Sequence, residues 1–306
     1  MTKHFLTGAE LEPKELAKLL ERAKQRKERR GLDVPADGMI AGMTVALIFE
    51  RPSTRTRMSA EVAVYETGGY PMVLSGDAMQ LARGESLRDT ALVTGRFAHA
   101  IGIRTGPHST VEQLAQYAGV PVFNLLTEDH HPCQALADLL TIQERFGELE
   151  GRRVAYVGDG NNVTASLMVL GAMAGITVAV ATPPGYAPAP EAVALAESVA
   201  TAGGAIELTN DPRAAAAGAD AVYTDVWVSM GDEDSDRRKQ DLAAYQLNES
   251  LLAEAKLDAI ALHCLPAHVG EEITEGVLYG ERSAVFDQAE NRLHVQKAVL
   301  EHLLVP

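Results

Sequence analysis

The stretch VAYVGDGNNVTASLMVLGAMAGITVAVATPPG, residues 154–185, decides the fold. From Gly160 to Pro190 the chain carries no charged side chain, a length sufficient to span a bilayer. The texture of the segment argues otherwise. Val163–Ala174 reads as a small-residue helix, Gly175 closes it, and Thr177–Ala181 is a β-branched strand followed by Pro183-Pro184-Gly185. A change of period with a glycine stop inside the run marks a helix and a strand buried in an α/β core.

Outward from this segment, strands and helices alternate. Strand candidates are Thr44–Phe49, Pro71–Leu74, Ala100–Ile103, Pro121–Leu125, Val154–Val157, Thr177–Ala181, Ala205–Leu208, Ala221–Asp225, Ala259–Leu262 and Ala284–Phe286. Several are continuous apolar runs, as parallel strands covered on both faces require. Helical patterns cover Thr56–Thr67, Thr110–Tyr117, Pro132–Phe146, Pro190–Ala202 and Glu290–Leu304, with a first helix reaching to about Arg30. FGELEGRR, Phe146–Arg153, is the best boundary, because a long helix ends there and a new series of strands and helices begins. The expected fold class is α/β, with two doubly wound parallel-sheet domains of similar size linked by helices. The expected divisions are 1–147, 148–288, and a closing helix 289–306 that packs back on the first domain.

The chain has 306 residues and a net charge of −15, from 42 acidic against 27 basic side chains. An acidic surface repels nucleic-acid phosphates and anionic lipid, so neither nucleic acid nor membrane is an expected partner. Two cysteines cannot build a disulfide framework, and the start, MTKHFLTGAELEPKELAKLL, has no apolar core of the signal-peptide kind. The expected location is a reduced cytoplasm. If the ligand is also anionic, a local positive site must be built against the chain's own field.

Open α/β sheets bind ligands beyond the carboxyl ends of their strands, so the residues after each strand carry the chemistry. Thr44–Phe49 is followed by Glu50-Arg51-Pro52-Ser53-Thr54-Arg55-Thr56-Arg57. Ser53 or Thr54 suits an N-cap, and a helix start offers unpaired N–H groups at the positive end of its dipole. With Arg55 and Arg57 added, the segment reads as a phosphate or carboxylate cradle rather than a capped helix with solvated arginines. It has no GxxxxGK[ST] and is not a nucleotide P-loop. Ala100–Ile103 ends at Arg104, a position that alone would be ordinary surface. Pro121–Leu125 leads to Asp129-His130-His131-Pro132-Cys133-Gln134, where Pro132 suits the first helical position. His131 then lies near a helix N-terminus, which favours a neutral imidazole that donates to a carbonyl oxygen. The His130-His131 pair lacks the i, i+4 spacing of a helix-borne metal site.

The second half has its own set. Val154–Val157 runs into Gly158-Asp159-Gly160-Asn161-Asn162, but the third glycine of GxGxxG falls on Val163. The next strand ends at Thr182-Pro183 with no acid for a ribose, so a nicotinamide enzyme is disfavoured. Asn161 and Asn162 remain as amide donors suited to a carboxylate. Ala221–Asp225 leads to Val226-Trp227-Val228-Ser229-Met230-Gly231, and Asp225 is either a cap or the counter-charge of an ammonium ligand. Ala259–Leu262 gives His263-Cys264-Leu265-Pro266-Ala267-His268, where Pro266 favours an extended turn and no clustered ligands complete a metal site. Collected, these groups suit the joining of an acyl phosphate to an amino acid with a second amine. No activated Ser-His-Asp set is evident, so direct attack by the substrate's own amine is the simplest route.

At this point the motifs resemble a known family. Ser53-Thr54-Arg55-Thr56-Arg57, His131-Pro132-Cys133-Gln134, Asp225-x-Trp227-x-Ser229-Met230-Gly231 and His263-Cys264-Leu265-Pro266 look like those of the ornithine carbamoyltransferases, within the aspartate/ornithine carbamoyltransferase superfamily. The first two are shared across carbamoyltransferases, and the last two point to ornithine. The resemblance runs from Phe5-Leu6 to Glu290-Asn291-Arg292. It implies transfer of a carbamoyl group from carbamoyl phosphate to the δ-amine of L-ornithine, in a crevice between the two domains, giving L-citrulline and phosphate in arginine biosynthesis.

By that match the first domain binds carbamoyl phosphate through Ser53, Thr54, Arg55, Thr56, Arg104, His131, Pro132, Cys133 and Gln134, with Cys264, Leu265 and Arg292 completing the pocket. Gln80, in the Gly76–Ser86 loop, would reach carbamoyl phosphate in a neighbouring subunit of a homotrimer. Asn162, Asp225, Ser229 and Met230 would hold ornithine in the second domain. Arg55, Arg104, His131, Asp225 and Cys264 take the catalytic roles, the Ser229–Asp236 loop would close with Gly231 as hinge, and neither metal nor cofactor is implied. Aspartate carbamoyltransferase is the nearest rival, but a second substrate carboxylate calls for cations where this chain offers Asp225 and Ser229-Met230. Acetylated or succinylated ornithine, putrescine and lysine are other acceptors of related enzymes, distinguished by pocket shape.

Overall fold

The computed structural model describes residues 2–31, 38–229 and 234–305, with the side chains of 82 and 83 excluded. The chain divides into two compact units, Met1–Leu140 with Glu290–Pro306, and Thr141–Ala289. The first unit contains α1 (Pro13–Glu28), β1 (Thr44–Phe49), α2 (Thr54–Glu66), β2 (Tyr70–Ser75), α3 (Leu87–Phe97), β3 (Ala100–Arg104), α4 (His108–Tyr117), β4 (Val122–Leu126) and the start of α5 (Pro132–Phe146). β1, and β3 up to Ile103, are apolar and almost wholly buried, because helices cover both faces of a parallel sheet. All four strands are parallel, in the order β2-β1-β3-β4. Phe5 lies along the β4 edge, donating its N–H to Val122 O and accepting from Asn124 N, so that edge is not left open.

The second unit contains β5 (Arg153–Val157), α6 (Asn162–Met173), β6 (Thr177–Ala181), α7 (Pro190–Val199), β7 (Ala205–Thr209), α8 (Pro212–Ala216), β8 (Ala221–Thr224), α9 (Ser235–Leu242), α10 (Glu249–Leu252), β9 (Ile260–His263) and α11 (Glu275–Leu278). Its five strands are parallel, in the order β7-β6-β5-β8-β9. The uncharged run is α6 and β6. Every α6 residue from Val163 to Met173 is buried, which is why no charge is tolerated there. Among the described residues no helix is long and apolar enough to cross a membrane. The last helix, α12 (Val285–Leu304), begins in the second unit, and its residues from Glu290 on belong to the first.

The α/β architecture with two parallel sheets is the one expected. One strand is not there. Ala284–Phe286 is not a strand: Ser283 makes a single parallel bridge to Ala261, and the chain then turns into α12 at Val285. A three-residue apolar run has no periodicity to separate strand from helix start. Leu265, expected extended before Pro266, instead has φ 59°, in the left-handed region.

In each sheet the strand order reverses once, between β1 and β3 in the first unit and between β5 and β8 in the second. Loops leaving neighbouring strands diverge at such a point and open a crevice at the strands' carboxyl ends. The four segments concerned begin at Glu50, Thr105, Gly158 and Asp225.

Candidate active site

In the first unit Ser53 is the N-cap of α2, its Oγ accepting from Thr56 N at 3.3 Å. This places Thr54, Arg55 and Thr56 in the first helical turn, where N–H groups lack intrahelical partners. Thr56 is fully buried, and its hydroxyl oxygen accepts from Arg292 Nη2 at 2.8 Å and from Arg104 Nη1 at 3.4 Å. Arg104 is 9% exposed and stands where the β3–β4 register shifts: Ile103 faces Asn124 but Arg104 faces Leu126. Such an irregularity re-aims the side chain at the strand end. Arg55 is half-buried and makes no hydrogen bond or ion pair among the described residues, whereas Arg57 is exposed and turned to Glu61 at 2.5 Å. One hydroxyl thus gathers two guanidiniums at a helix N-terminus, with a third arginine in the same turn.

Pro132 opens α5, with His131 immediately before it. His131 is 3% exposed, and burial first, then the Arg292 and Arg104 guanidiniums, hold its imidazole well below the usual 6.5. It is neutral at physiological pH, as expected. Gln134, one turn along, is buried and donates Nε2–H to Asp138 Oδ1 at 2.8 Å; its carbonyl Oε1 has no hydrogen-bond partner among the described residues. Asp138 was not anticipated, although its i, i+4 spacing from Gln134 on a helix is a legible signal. The Cys133 thiol is turned to Asn124 O at 3.4 Å, and burial pushes it up to about 12. Gln80 is exposed at the start of a 3₁₀ turn, Gln80–Arg83, and the hydrogen bonds of the described residues do not join it to the Thr56 cluster.

In the second unit Asn161 caps α6, its Oδ1 accepting from Val163 N at 3.0 Å and Thr164 N at 3.3 Å. With the oxygen fixed this way, Nδ2 is free to donate to Asp225 Oδ2, at 2.8 Å. The other carboxylate oxygen, Oδ1, accepts from Cys264 Sγ at 2.9 Å. Asp225 is 5% exposed, just past the end of β8, and forms no ion pair with a lysine or arginine among the described residues. Tyr156 is fully buried with its hydroxyl donating to Asn161 Oδ1 at 3.5 Å, and its phenol is pushed well above 10 by burial above all, with Asp225 adding. The loop can pass so closely because residue 160 is glycine: the backbone of Tyr186–Pro188 occupies the space of a Cβ. Asn162 and Ser229 are half-buried nearby in the chain; Met230, Gly231, Asp232 and Glu233 lie outside the described residues.

Asp225, His263 and Cys264 bring possible metal-ligand atoms within 4.8 Å of one another. Their donors are already committed, however. Both Asp225 oxygens accept the bonds just given, and the two His263 ring nitrogens meet Glu272 Oε1 at 3.1 Å and Leu265 N at 2.8 Å. The arrangement is a carboxylate with neutral donors on both oxygens, suited to a cationic amine.

Comparison with known proteins gives the same division of labour. Residues 3–144 match the family "Aspartate/ornithine carbamoyltransferase, carbamoyl-P binding domain", and residues 150–303 match its "Asp/Orn binding domain". The ornithine carbamoyltransferase of Acidothermus cellulolyticus is 53% identical over 99% of this chain and 97% of its own. That of Parafrankia sp. is 52% identical over 99% and 96%. Among solved structures, ornithine carbamoyltransferase from Pyrococcus furiosus has a TM-score of 0.95 at 46% identity, covering 99% of this chain and 97% of that one. With both regions matched in order over nearly its whole length, the chain belongs to the aspartate/ornithine carbamoyltransferase family.

Proposed function

We propose that the chain transfers the carbamoyl group of carbamoyl phosphate to the δ-amine of L-ornithine, releasing L-citrulline and phosphate. The observation that carries the choice of acceptor is Asp225, a buried carboxylate with no cationic partner among the described residues. A carboxylate withdrawn from water is stabilised by an incoming ammonium and destabilised by a second carboxylate, which favours ornithine over aspartate.

The phosphate of carbamoyl phosphate lies on the α2 N-terminus, held by Ser53, Thr54, Arg55 and Thr56. The carbamoyl oxygen takes hydrogen bonds from Arg104 and neutral His131, and the carbamoyl NH2 donates to Gln134 Oε1. Asn162 and Ser229 hold the α-carboxylate of ornithine, and Asp225 with Cys264 addresses its amines. The neutral δ-amine attacks the carbonyl carbon, charge grows on the carbamoyl oxygen, the C–O bond to phosphate breaks, and phosphate leaves with the amine's proton. Fixed donors at that oxygen are worth about 3 kcal/mol of barrier each. Leu265, Pro132, Cys133 and Arg292 complete the carbamoyl phosphate pocket. A homotrimer in which Gln80 reaches a neighbouring site, a cytoplasmic location and a place in arginine biosynthesis belong to the same reading.

The test is one assay: carbamoyl phosphate with ornithine, aspartate or acetylornithine in turn, scoring the carbamoylated product and phosphate. Ornithine is expected to exceed both others in kcat/KM by about 100-fold or more, the discrimination that buried polar groups left unpaired provide. Turnover with aspartate at a comparable rate would overturn the assignment.

A further inference from the structure

β9 ends at His263, and the loop from there to His268 is closed by one buried carboxylate. Glu272 is fully buried, and its Oε1 accepts from His263 Nε2 at 3.1 Å and from the His268 backbone N–H at 2.6 Å. The other side of the His263 ring is also committed: Nδ1 accepts the Leu265 N–H at 2.8 Å. A backbone N–H can only donate, so Nδ1 carries no proton and the ring proton sits on Nε2, facing Glu272. Both partners are anchored in turn. The His263 N–H donates to Gln288 Oε1 at 2.9 Å, and the Glu272 carbonyl accepts the Leu247 N–H at 2.8 Å.

Two further observations bear on what this arrangement does. Leu265 has φ 59°, a conformation that a side chain of this kind keeps only where its surroundings impose it. Glu271, next along the chain, is paired with Lys239 at 2.6 Å, whereas Glu272 feels that ammonium only at longer range and makes no ion pair with a lysine or arginine among the described residues. Its Oε2 makes no hydrogen bond, and the His268 ring lies 3.7 Å away. Burying a carboxylate whose direct contacts are imidazoles and one backbone N–H, with the Lys239 ammonium acting on it only from beyond ion-pair distance, is a poor way to stabilise a fold.

The geometry points to Glu272 and His263 as a positioning clamp: it holds the left-handed turn at Leu265, and with it the Cys264 thiol 2.9 Å from Asp225 Oδ1. Glu272 acts through His263 on the loop. Its consequence for turnover rests on the carbamoyl transfer proposed above; its consequence for the thiol does not.

The chain's two cysteines make the test clean. Cys133 is fully buried with its thiol pushed up to about 12, so alkylation by iodoacetamide reports Cys264, which is partly exposed. Wild-type protein, Glu272→Ala and Glu272→Gln are compared for alkylation rate, thermal melting, and kcat and KM with carbamoyl phosphate and ornithine. Glu272→Ala is expected to alkylate about tenfold faster and to lose about tenfold in kcat/KM for ornithine, as misplacement of a reacting group does. Glu272→Gln is expected within about twofold of wild type in both, since its Oε1 still accepts from His263 and His268. Should the alanine variant not fold, Glu272→Asp, too short to span both partners, is expected to alkylate faster in its place. Variants that melt at lower temperature yet alkylate at the wild-type rate would mark a purely structural carboxylate and overturn the clamp. Glutamine behaving like alanine would overturn it as well. Wild type that makes no citrulline, with the alanine variant still alkylating faster, would strike the carbamoyl transfer and leave the clamp standing.

Discussion

The Thr56 hydroxyl is the acceptor shared by Arg292 Nη2 and Arg104 Nη1, so one side chain sets the spacing of two cations. Guanidiniums brought together without an acceptor between them repel, and burial magnifies that repulsion. Thr56→Val keeps the shape and removes the acceptor. It is expected to lower stability by about 1–3 kcal/mol and kcat/KM for carbamoyl phosphate by about 100-fold, while Thr56→Ser stays close to wild type. Steady-state kinetics at saturating ornithine, with thermal melting alongside, checks this; a valine variant with unchanged carbamoyl phosphate kinetics would remove Thr56 from the site. Some of this was legible at residue scale. Ser53 as N-cap and Pro132 opening α5 follow from local chemistry, whereas His131 is held neutral by burial and by Arg292 and Arg104, which no local signal marks. Arg292 was not legible from its surroundings, because nothing local records that residue 292 returns to a hydroxyl 236 positions earlier; only the family resemblance named it. Glu272 was missed for a related reason: GEEIT reads as a solvated acidic turn, and its partner is nine residues away.

At the scale of elements, the inner strands were readable because helices cover both faces of the parallel sheets, leaving uninterrupted apolar runs such as Thr44–Phe49 and Thr177–Ala181, while β2 and β7 are more exposed. α3 and the short helices α8, α10 and α11 have too few turns, or too mixed a pattern, to register as periodic. What the elements contribute to the site is their ends. α6 shows the principle most clearly, since Asn161 is at once its N-cap and a donor to Asp225. The two duties separate by mutation. Serine caps a helix about as well as asparagine but has no amide to offer Asp225. Asn161→Ser is therefore expected to keep wild-type melting and to lose about tenfold in kcat/KM for ornithine, the worth of one hydrogen bond to a charged group. Asn161→Ala is expected to show the same kinetic loss and, in addition, about 1 kcal/mol of destabilisation. Equal melting of the two variants would mean that the cap contributes nothing.

Across the whole molecule, groups held in their neutral form by burial narrow the pH range of stability, beside the paired carboxylates Glu66 and Asp220, whose values are lowered. His131 is held well below 6.5, His130 is lowered to about 4 by burial with His108 adding, and His294 to about 3 by burial with Lys297 and Lys27 adding. A depressed folded value means that the unfolded chain binds these protons first. Their contribution is then complete above 6.5 and is lost as pH falls toward 4. At the alkaline end the sign reverses. Cys133 is pushed up to about 12 and Tyr156 well above 10, so the unfolded chain releases these protons first and stability falls once pH passes about 9. A melting temperature level from about pH 6.5 to 9 and declining on both sides is the expected profile. His4 and His302 are lowered by burial too, and each such histidine adds up to about 1.4 kcal/mol per pH unit to the acid limb between 6.5 and its own folded value. His294→Leu removes one of these imidazoles at a fully buried position and is expected to make the acid limb shallower, with no change in the alkaline limb. Calorimetric melts from pH 5 to 10 at constant ionic strength decide it: a wild-type melting temperature unchanged between pH 7 and 5 would show that these imidazoles take up protons without unfolding the chain.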